Sequence, residues 1–380
     1  MLFDDDVTLE QQLASLDAPL RARLDARGFD PKTLLQWSKL LGTDRDARNR
    51  LHGSVEPPSP SDLLDSPREG TSDFEARTRL GAGALSRGEL ALCVLAGGMA
   101  TRMGGVVKAL VDALPGRTFL DLRLAENARL HAQWGKRVPL WLMTSEATDV
   151  GIRKALGSRC DGEHIATFEQ FVSLRLTPQG ELFCDDRGEP SVYATGHGDL
   201  PDALRKSGLL SRFVAQGGKY VWIANLDNLG ATVDAAILGH HIAQGGEVSV
   251  ELVNKVGGDR GGGPVRFNGQ RIITEEFRLP VGFDTRKVPV FNTNTFIANV
   301  DALSIPSDAW TYVEVEKKIG DRPAIQFERL IGEMTSWADT RFLRVPREGV
   351  HSRFLPVKDA IELERRRGEI EAVARARGFH

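Results

Sequence analysis

The stretch that decides the fold is residues 221–234, which read VWIANLDNLGATVD. It begins as an apolar strand, breaks into a polar cluster of Asn225, Asp227 and Asn228, and continues as a helical pattern over residues 231–244. A carboxylate at the point where a buried strand meets a loop lies where open α/β sheets collect their ligands. The alternative is that Asp227 and Asn228 only cap the helix that follows. The stretch taken alone leaves both interpretations open.

The same alternation of strand and helix runs through most of the chain, which predicts βαβ units and a mostly parallel sheet. Apolar runs indicate strands at residues 92–96, 138–143, 220–224, 248–253 and 342–345. Helical patterns cover residues 119–134, 199–216, 231–244, 326–337 and 361–377. Residues 258–300 are rich in glycine and favour β-structure, so we expect a subdomain over the sheet edge.

Composition excludes several classes of function. The chain has 380 residues, 41% of them hydrophobic and 27% charged, with a net charge of −3. This balance gives no general electrostatic case for binding nucleic acid or a membrane surface. No run approaches the length of a membrane-spanning helix, and three scattered cysteines form neither a metal motif nor a disulfide framework. We therefore expect a soluble, cytoplasmic protein, either a monomer or a small homo-oligomer.

A glycine-rich loop follows the strand at residues 92–96. It reads GGMATRMGG over residues 97–105, with Lys108 just beyond. Glycines let a backbone approach a phosphate closely, and Arg102 and Lys108 supply cations suited to phosphate oxygens. The spacing matches neither G-x-G-x-x-G nor a Walker A loop. Phosphate binding is the better interpretation, with an ordinary tight strand–helix turn as the alternative.

The glycine loop and the Asp227 segment together resemble the UTP–glucose-1-phosphate uridylyltransferase (UDP-glucose pyrophosphorylase) family. The resemblance extends from residue 90 to residue 360, with the motifs in the expected order. Four further stretches carry it: FEQ at 168–170, TGHGD at 195–199, VFNTN at 290–294 and SRFLPVK at 352–358.

The resemblance implies an α/β fold of the Rossmann-like, GT-A-like nucleotidyltransferase class, with a mixed, mainly parallel sheet flanked by helices. It divides the chain into a helical N-terminal extension and linker (1–85), a nucleotidyltransferase catalytic domain (86–360) and a C-terminal helix (361–380). The β-helix domain that follows in many eukaryotic relatives is not expected here. No role is assigned to the N-terminal extension.

The resemblance also implies the reaction, in which UTP and glucose 1-phosphate give UDP-glucose and pyrophosphate with Mg²⁺. Most of the implied roles belong to residues that match a family motif, whereas Arg102 is closer to the Gly-Thr-Arg pattern of bacterial sugar nucleotidyltransferases and of the N-acetylhexosamine pyrophosphorylases. The nucleotide would be bound by Gly97, Gly98, Thr101, Gln170, Gly196 and Asn225, the sugar by His197, Glu275, Asn292 and Asn294, the reacting phosphates by Arg102, Lys108 and Lys358, with Lys255 as a further possible phosphate contact, and the metal by Asp227.

Several of these residues have a structural alternative. His197 between two glycines could be a turn residue, Asn292 and Asn294 could stabilise a strand edge, and Lys358 could be a solvated lysine at a helix start. The role assigned to Glu275 could equally belong to its neighbour Glu276.

The loop also departs from the family pattern. Ala100 replaces the usual glycine, which is costly if that position needs a positive φ, and Val107 replaces the usual proline before the loop lysine.

Two other functions therefore stay open. The first is the same chemistry on another sugar 1-phosphate, such as galactose 1-phosphate or N-acetylglucosamine 1-phosphate. The second is a homologue that binds a nucleotide sugar without turnover. A dinucleotide-dependent dehydrogenase is a distant third, because the glycine spacing is wrong for it.

Overall fold

The structure is a computed structural model that describes residues 7–100, 103–259, 261–304 and 310–380. The helices in these ranges, in chain order, are α1 (Leu9–Ala14), α2 (Ala18–Ala26), α3 (Pro31–Ser38), α4 (Arg45–Asn49), α5 (Ser72–Arg87), α6 (Phe119–Trp134), α7 (Asp149–Leu156), α8 (Leu200–Lys206), α9 (Leu209–Ala215), α10 (Ala235–Gln244) and α11 (Ala360–Ala376).

The strands, in chain order, are β1 (Val55–Glu56), β2 (Leu63–Asp65), β3 (Leu90–Leu95), β4 (Met99–Ala100), β5 (Val106–Val107), β6 (Asp112–Leu114), β7 (Arg117–Thr118), β8 (Leu140–Thr144), β9 (Ile165–Glu169), β10 (Val172–Leu174), β11 (Val192–Ala194), β12 (Tyr220–Asn225), β13 (Val248–Asn254), β14 (Gly263–Phe267), β15 (Gln270–Thr274), β16 (Val290–Asn299), β17 (Val313–Ile319), β18 (Arg322–Glu328) and β19 (Thr340–Arg344).

Eight strands form the central sheet, in the order β2-β19-β13-β16-β12-β3-β8-β9. Seven run parallel, and β16 lies antiparallel between β12 and β13. The prediction of a mixed, mainly parallel α/β sheet is confirmed. Because seven strands share one direction, their carboxyl ends meet at one edge of the sheet.

Side chains that alternate along the sheet strands feed two cores. Leu92, Val94 and Trp222 pack into the core on one face, whereas Cys93 and Ile223 pack into the core on the other. All five are buried. Burial on both faces is what parallel strands require, and it explains why these strands read as continuous apolar runs.

The N-terminal residues pair with the strands and pack against the helices of the rest of the chain, which a linker would not do. Residues 52–72 are rich in Pro, Ser and Gly, which predicts a linker or a surface-hugging loop, but within them β1 pairs with β14 and β2 extends the central sheet beside β19. Helix α5 crosses the predicted boundary at residue 85 and packs against α10, where Gly81 and Gly239 let the two backbones touch. The short helices α1–α3 supply buried leucines to a third core with β10 and β18.

Three predicted elements differ from the structure. Residues 326–337 are the end of β18 followed by a 3₁₀ helix over residues 331–336, so the helix prediction there is wrong. The helix predicted at 199–216 is two helices, because Gly208 adopts a left-handed φ of 74°. In the segment 258–300, β14 and β15 form a small sheet with β1, whereas β16 lies inside the central sheet.

Helix α11 confirms the predicted C-terminal helix and packs on the main core through Leu363, Ile370 and Val373. None of the helices in the described ranges has the length and hydropathy needed to cross a bilayer.

Candidate active site

A buried arginine on α6 donates hydrogen bonds to the backbone of the loop after β12. Arg123 on α6 is fully buried, and its Nη2 donates to the carbonyl oxygens of Asn225 at 2.9 Å and Asn228 at 2.8 Å. Its Nη1 donates to Glu126, which also accepts the Val233 N–H at 2.8 Å. This network fixes the path of residues 225–233, which we call the Asp loop.

A second buried pair ties the Asp loop to the late lysine motif. Arg353 forms two hydrogen bonds of 2.7 Å with Glu251 and donates to the carbonyl of Thr232 at 2.8 Å. Buried Asn228 accepts the Leu355 N–H at 2.8 Å and donates to the Arg353 carbonyl at 3.1 Å. Residues 352–358 are therefore locked against the loop that carries Asp227.

Asp227 and Lys108 meet across the two loops. Lys108 Nζ lies 2.6 Å from Asp227 Oδ2, and the Val357 N–H donates to the same oxygen at 3.3 Å. Asp227 does not cap the next helix: α10 begins at Ala235, and its cap is Asp234, which accepts the Ile237 N–H at 3.0 Å. The capping alternative is wrong for Asp227.

The glycine loop forms a small hairpin in which β4 pairs with β5. Ala100 is buried in β4 and is not among the described residues with a positive φ, so alanine is unstrained at this position. Val107 has a φ of −64°, which a proline would also adopt. The left-handed positions are Gly104 and Gly105. Thr101 and Arg102 lie outside the described residues.

Gln170 faces the start of the glycine loop. A Cβ at Gly97 would lie 3.0 Å from Gln170 Oε1, so any larger residue here would push the Gln170 amide away from the loop. The Ser145 hydroxyl donates to the Gly97 carbonyl at 2.9 Å and anchors the loop to the end of β8. Gly98 is exposed, with open space where a side chain would be.

The TGHGD motif packs against the backbone after β18. A Cβ at Gly196, which has a φ of 108°, would lie 2.5 Å from the Arg329 carbonyl oxygen, so this position requires glycine. The Ile331 N–H donates to His197 Nδ1 at 2.9 Å, and burial lowers the pKa of His197. His197 is therefore neutral, and its Nε2–H is left as a donor.

A bulge in β16 brings Asn294 to the Asp loop. Glu251 pairs with Thr295 but Leu252 pairs with Asn292, which leaves two extra residues in β16. Asn294 adopts a φ of 58° there, and its Nδ2 donates to Asn225 Oδ1 at 2.9 Å. Because β16 lies inside the sheet, these asparagines do not stabilise a strand edge.

Glu275 lies over the Gly-rich segment beside Asn292. A Cβ at Gly262 would be 2.9 Å from Glu275 Oε1, and the Gly262 carbonyl accepts the Asn292 N–H at 2.9 Å. Burial raises the pKa of Glu275. Lys255 lies beside Gly262 in a small pocket.

Lys358 ends the late lysine motif with an exposed side chain. Its N–H donates to Glu362 Oε2 at 2.8 Å, directly before α11. The structure thus places the backbone next to Lys358 at Asp227, through Val357, while the Lys358 side chain is exposed.

The sequence interpretation missed the residues that hold this site in place. Arg123, Glu126 and Arg377 lie on or beside helices whose dense charge reads as a solvated surface. Arg377 nevertheless donates to the carbonyls of Gly230 and Ser352, both at 2.6 Å. For Arg353 the sequence does carry a signal of burial, because three apolar residues, Phe354-Leu355-Pro356, follow it directly.

Asp227 has the chemistry of a Mg²⁺ ligand. Among the described residues no donor reaches its Oδ1, whereas Oδ2 takes Lys108 and Val357. The described chain has no group of three or more His, Cys, Asp or Glu side chains arranged to hold a metal. One carboxylate fits Mg²⁺, which commonly takes one or two carboxylates and completes its shell with substrate phosphates and water.

Comparison with known sequences gives a consistent family. The family model described as UTP–glucose-1-phosphate uridylyltransferase matches residues 51–365. The chain is 31% identical over 333 residues to a probable UTP–glucose-1-phosphate uridylyltransferase of Schizosaccharomyces pombe, covering 80% of this chain and 63% of that protein. It is 32% identical to the enzyme of that name from Musa acuminata, covering 80% of this chain and 66% of the relative. The chain thus spans less than two thirds of the length of either relative.

Solved structures share the fold. The UDP-N-acetylglucosamine pyrophosphorylase of Trypanosoma brucei aligns with a TM-score of 0.74 at 21% identity, covering 92% of this chain and 79% of that chain. A variant of UDP-glucose pyrophosphorylase from Leishmania major aligns with a TM-score of 0.70 at 22% identity, covering 93% of this chain and 76% of that chain. At these identities the alignments establish the fold alone.

Proposed function

The chain belongs to the UTP–glucose-1-phosphate uridylyltransferase family, and from this premise we propose that it transfers a uridylyl group from UTP to glucose 1-phosphate, giving UDP-glucose and pyrophosphate. The observation that carries the proposal is the meeting of Lys108 and Asp227 at the carboxyl edge of the sheet. Transfer between two phosphates requires a cation to offset phosphate charge and a carboxylate that can hold a metal. Here the two come from separate loops, at the edge where open α/β sheets bind ligands.

The reaction needs no protein nucleophile. A phosphomonoester with a second pKa of about 6 is already ionised at neutral pH, so its oxygen attacks the α-phosphorus of UTP directly. The phosphorus–oxygen bond to pyrophosphate breaks as the new one forms. The barrier is then mainly repulsion between two polyanions together with their alignment, which cations and positioning overcome.

The nucleotide is assigned to one side of the Lys108–Asp227 pair. Gln170 and Gly196 would face the uracil, and the backbone of half-buried Gly97 and exposed Gly98 would approach the phosphates. The close approach of Gln170 to Gly97 supports this assignment. In the same loop, Thr101 is proposed on the family pattern, and Arg102 is proposed because its planar guanidinium suits phosphate oxygens.

The sugar phosphate is assigned to the other side. Glu275, Asn292 and Asn294 would accept and donate hydrogen bonds to the glucose hydroxyls, and the Nε2–H of neutral His197 would donate to the sugar phosphate. The support is that the β16 bulge turns Asn294 toward the end of β12. Lys358, and Lys255 as a further contact, would approach the phosphates from the solvent side.

Mg²⁺ is the proposed cofactor, and Asp227 would hold it together with the substrate phosphates. When bound, it neutralises developing charge on the phosphates. Asp227→Asn should remove most of the Mg²⁺ dependence of the rate and leave the fold intact, because the cap of α10 is Asp234 and not Asp227. A metal titration of activity and a urea unfolding curve, measured on the same variant, check both halves of this expectation.

The decisive assay is pyrophosphate release from UTP with glucose 1-phosphate, galactose 1-phosphate or N-acetylglucosamine 1-phosphate as the acceptor. We expect glucose 1-phosphate to give the highest kcat/KM. A strong preference for the N-acetyl sugar would overturn the choice of substrate. Binding of UDP-glucose without any Mg²⁺-dependent exchange of pyrophosphate would identify a sensor instead of an enzyme.

We place this enzyme in the cytoplasm, free of nucleic acid and membrane partners and with UTP and a sugar 1-phosphate as its ligands. The support is its acidic balance and its three unpaired cysteines, Cys93, Cys160 and Cys184.

A further inference from the structure

The end of α2, in the N-terminal extension, holds the strand end that carries Gln170. Arg27 Nε donates to Glu169 Oε2 at 2.6 Å, and Arg27 Nη2 lies 3.4 Å from Oε1. Glu169 is the last residue of β9 and immediately precedes Gln170. Both side chains of this pair are about three quarters buried, with 25% and 26% of their surface exposed. A two-point arginine–carboxylate contact fixes direction as well as distance.

The residues after Gln170 are held by the same segment. The Val172 N–H donates to the Arg27 carbonyl at 3.2 Å. Gly28 lies against the ring of Phe171, where a Cβ would come within 2.7 Å of the ring, and it has a left-handed φ of 74°. Gln170 is therefore bracketed on both sides by contacts from the N-terminal extension.

The neighbouring strand end is tied to α2 as well. Glu146 Oε1 lies 3.1 Å from Arg23 Nε and 3.8 Å from Arg27 Nε. Glu146 follows Ser145, whose hydroxyl holds the Gly97 carbonyl. The two arginines thus link the strand end behind Gly97 to the strand end behind Gln170, and these two residues face each other.

We propose that Arg27 is a positioning residue for the nucleobase end of the nucleotide site, acting through Glu169 on Gln170. This assigns a role to the N-terminal extension, and it rests on the proposed function. A hydrogen-bonding side chain discriminates between bases only if its supporting contacts hold it within about 0.5 Å of the productive geometry. The Arg27–Glu169 contact supplies such a support from outside the central sheet.

The test compares Arg27→Ala and Arg27→Lys with the wild-type enzyme. Arg27→Ala should raise the KM for UTP by about 3- to 10-fold, as expected for loss of a charge-assisted contact, with kcat within about twofold. The preference for UTP over CTP should fall with it, because the orientation of Gln170 is loosened. Arg27→Lys keeps the charge but not the two-point contact, so its KM for UTP should lie between those of the wild type and Arg27→Ala.

The matched control is Arg375→Ala, which removes an arginine that makes two hydrogen bonds to Glu371 on the exposed side of α11. It should leave both the KM for UTP and the base preference unchanged. The double variant Arg27→Ala/Glu169→Ala should lie close to Glu169→Ala alone, since both changes break the Arg27–Glu169 contact and the double variant loses in addition the longer approach of Arg27 to Glu146.

The outcomes separate this inference from the proposed function. A wild-type enzyme that makes no UDP-glucose refutes the proposed function and the inference with it. An active wild type whose Arg27→Ala variant keeps the wild-type KM and base preference overturns the inference alone. The inference is also overturned if Arg27→Ala only lowers the melting temperature, because a merely structural role leaves the KM of the folded enzyme unchanged.

Discussion

The Asp loop and the glycine loop lie side by side at the same edge of the sheet, yet they are built in opposite ways. The Asp loop is fixed by Arg123, Arg353 and Arg377, which donate to its backbone from inside the protein. The glycine loop is a two-strand hairpin with left-handed glycines at its turn, and Gly98 is open to solvent. The difference predicts that the Asp loop, where we propose the metal and sugar contacts, is more rigid than the described part of the glycine loop, where we propose nucleotide contacts.

Removing the lysines proposed to contact the phosphates should have the largest effect. Lys108→Ala and Lys358→Ala should each lower kcat/KM by about 10²-fold or more, if each lysine stabilises transferring phosphoryl charge. Pyrophosphate release under steady-state conditions measures it. Exposed Lys154 on α7 provides the control, since Lys154→Ala should retain wild-type kinetics. Wild-type kcat/KM in Lys108→Ala would refute its role at the phosphates.

The contrast in rigidity should appear in stability. Arg353→Met leaves Glu251 buried without its partner, which should cost about 3–5 kcal/mol of the free energy of unfolding. Lys108→Ala breaks a pair whose side chains are 19% and 14% exposed and leaves Asp227 with solvent access, so it should cost less than Arg353→Met. Urea unfolding of both variants gives the comparison. Equal losses would mean that the two loops are built alike.

A single substitution at His197 can distinguish its structural hydrogen bond to Ile331 from its proposed contact with the sugar phosphate. In His197→Asn the amide oxygen takes the position of Nδ1 and still accepts the Ile331 N–H, but nothing replaces Nε2. We expect near-wild-type stability and an increase of about tenfold in the KM for glucose 1-phosphate, the size of one lost hydrogen bond to a charged group. An unchanged KM would show that His197 is only a turn residue.

A separate effect, remote from both loops, is a pH dependence of stability at His241. His241 is buried between Ser249 and Asn299, and burial lowers its pKa to about 4. The unfolded chain binds the proton near pH 6.5 but the folded chain does not, so stability falls as the pH drops from 6.5 to 4. The loss attributable to His241 is at most about 3 kcal/mol. Urea unfolding at several pH values should show a shallower slope in His241→Gln than in the wild type.

The sheet and the positions of the motifs could be predicted because they rest on local signals. Buried parallel strands read as apolar runs, and the polar cluster of the Asp loop directly follows one of them. The antiparallel insertion of β16 depends on pairing between distant segments, which no local pattern contains. In residues 326–337, Phe327, Leu330, Ile331 and Met334 follow helical spacing, but pairing of β18 with β17 overrides it.

The residue types of the proposed site could be read from sequence motifs, whereas the buried residues that hold the site in place could not. Lys108, Asp227 and Gln170 stand in motifs whose residue types suit phosphate, metal and base. Arg123 and Arg377 stand in charged helical segments, where an arginine that is buried by tertiary packing looks the same as one in solvent. The possible strain at Ala100 could not be judged from the sequence either, because the backbone conformation of this residue is set by the pairing of β4 with β5.

A crystal structure with UDP-glucose and Mg²⁺ tests the central claim most directly. It should show uracil beside Gln170 and Gly97, glucose against Glu275, Asn292 and Asn294, and Lys108 moved from Asp227 to a phosphate. The backbone of the Asp loop should shift by less than about 1 Å, whereas the glycine loop should move further. Nucleotide bound away from the Lys108–Asp227 pair, or an Asp loop that moves as much as the glycine loop, would contradict the account.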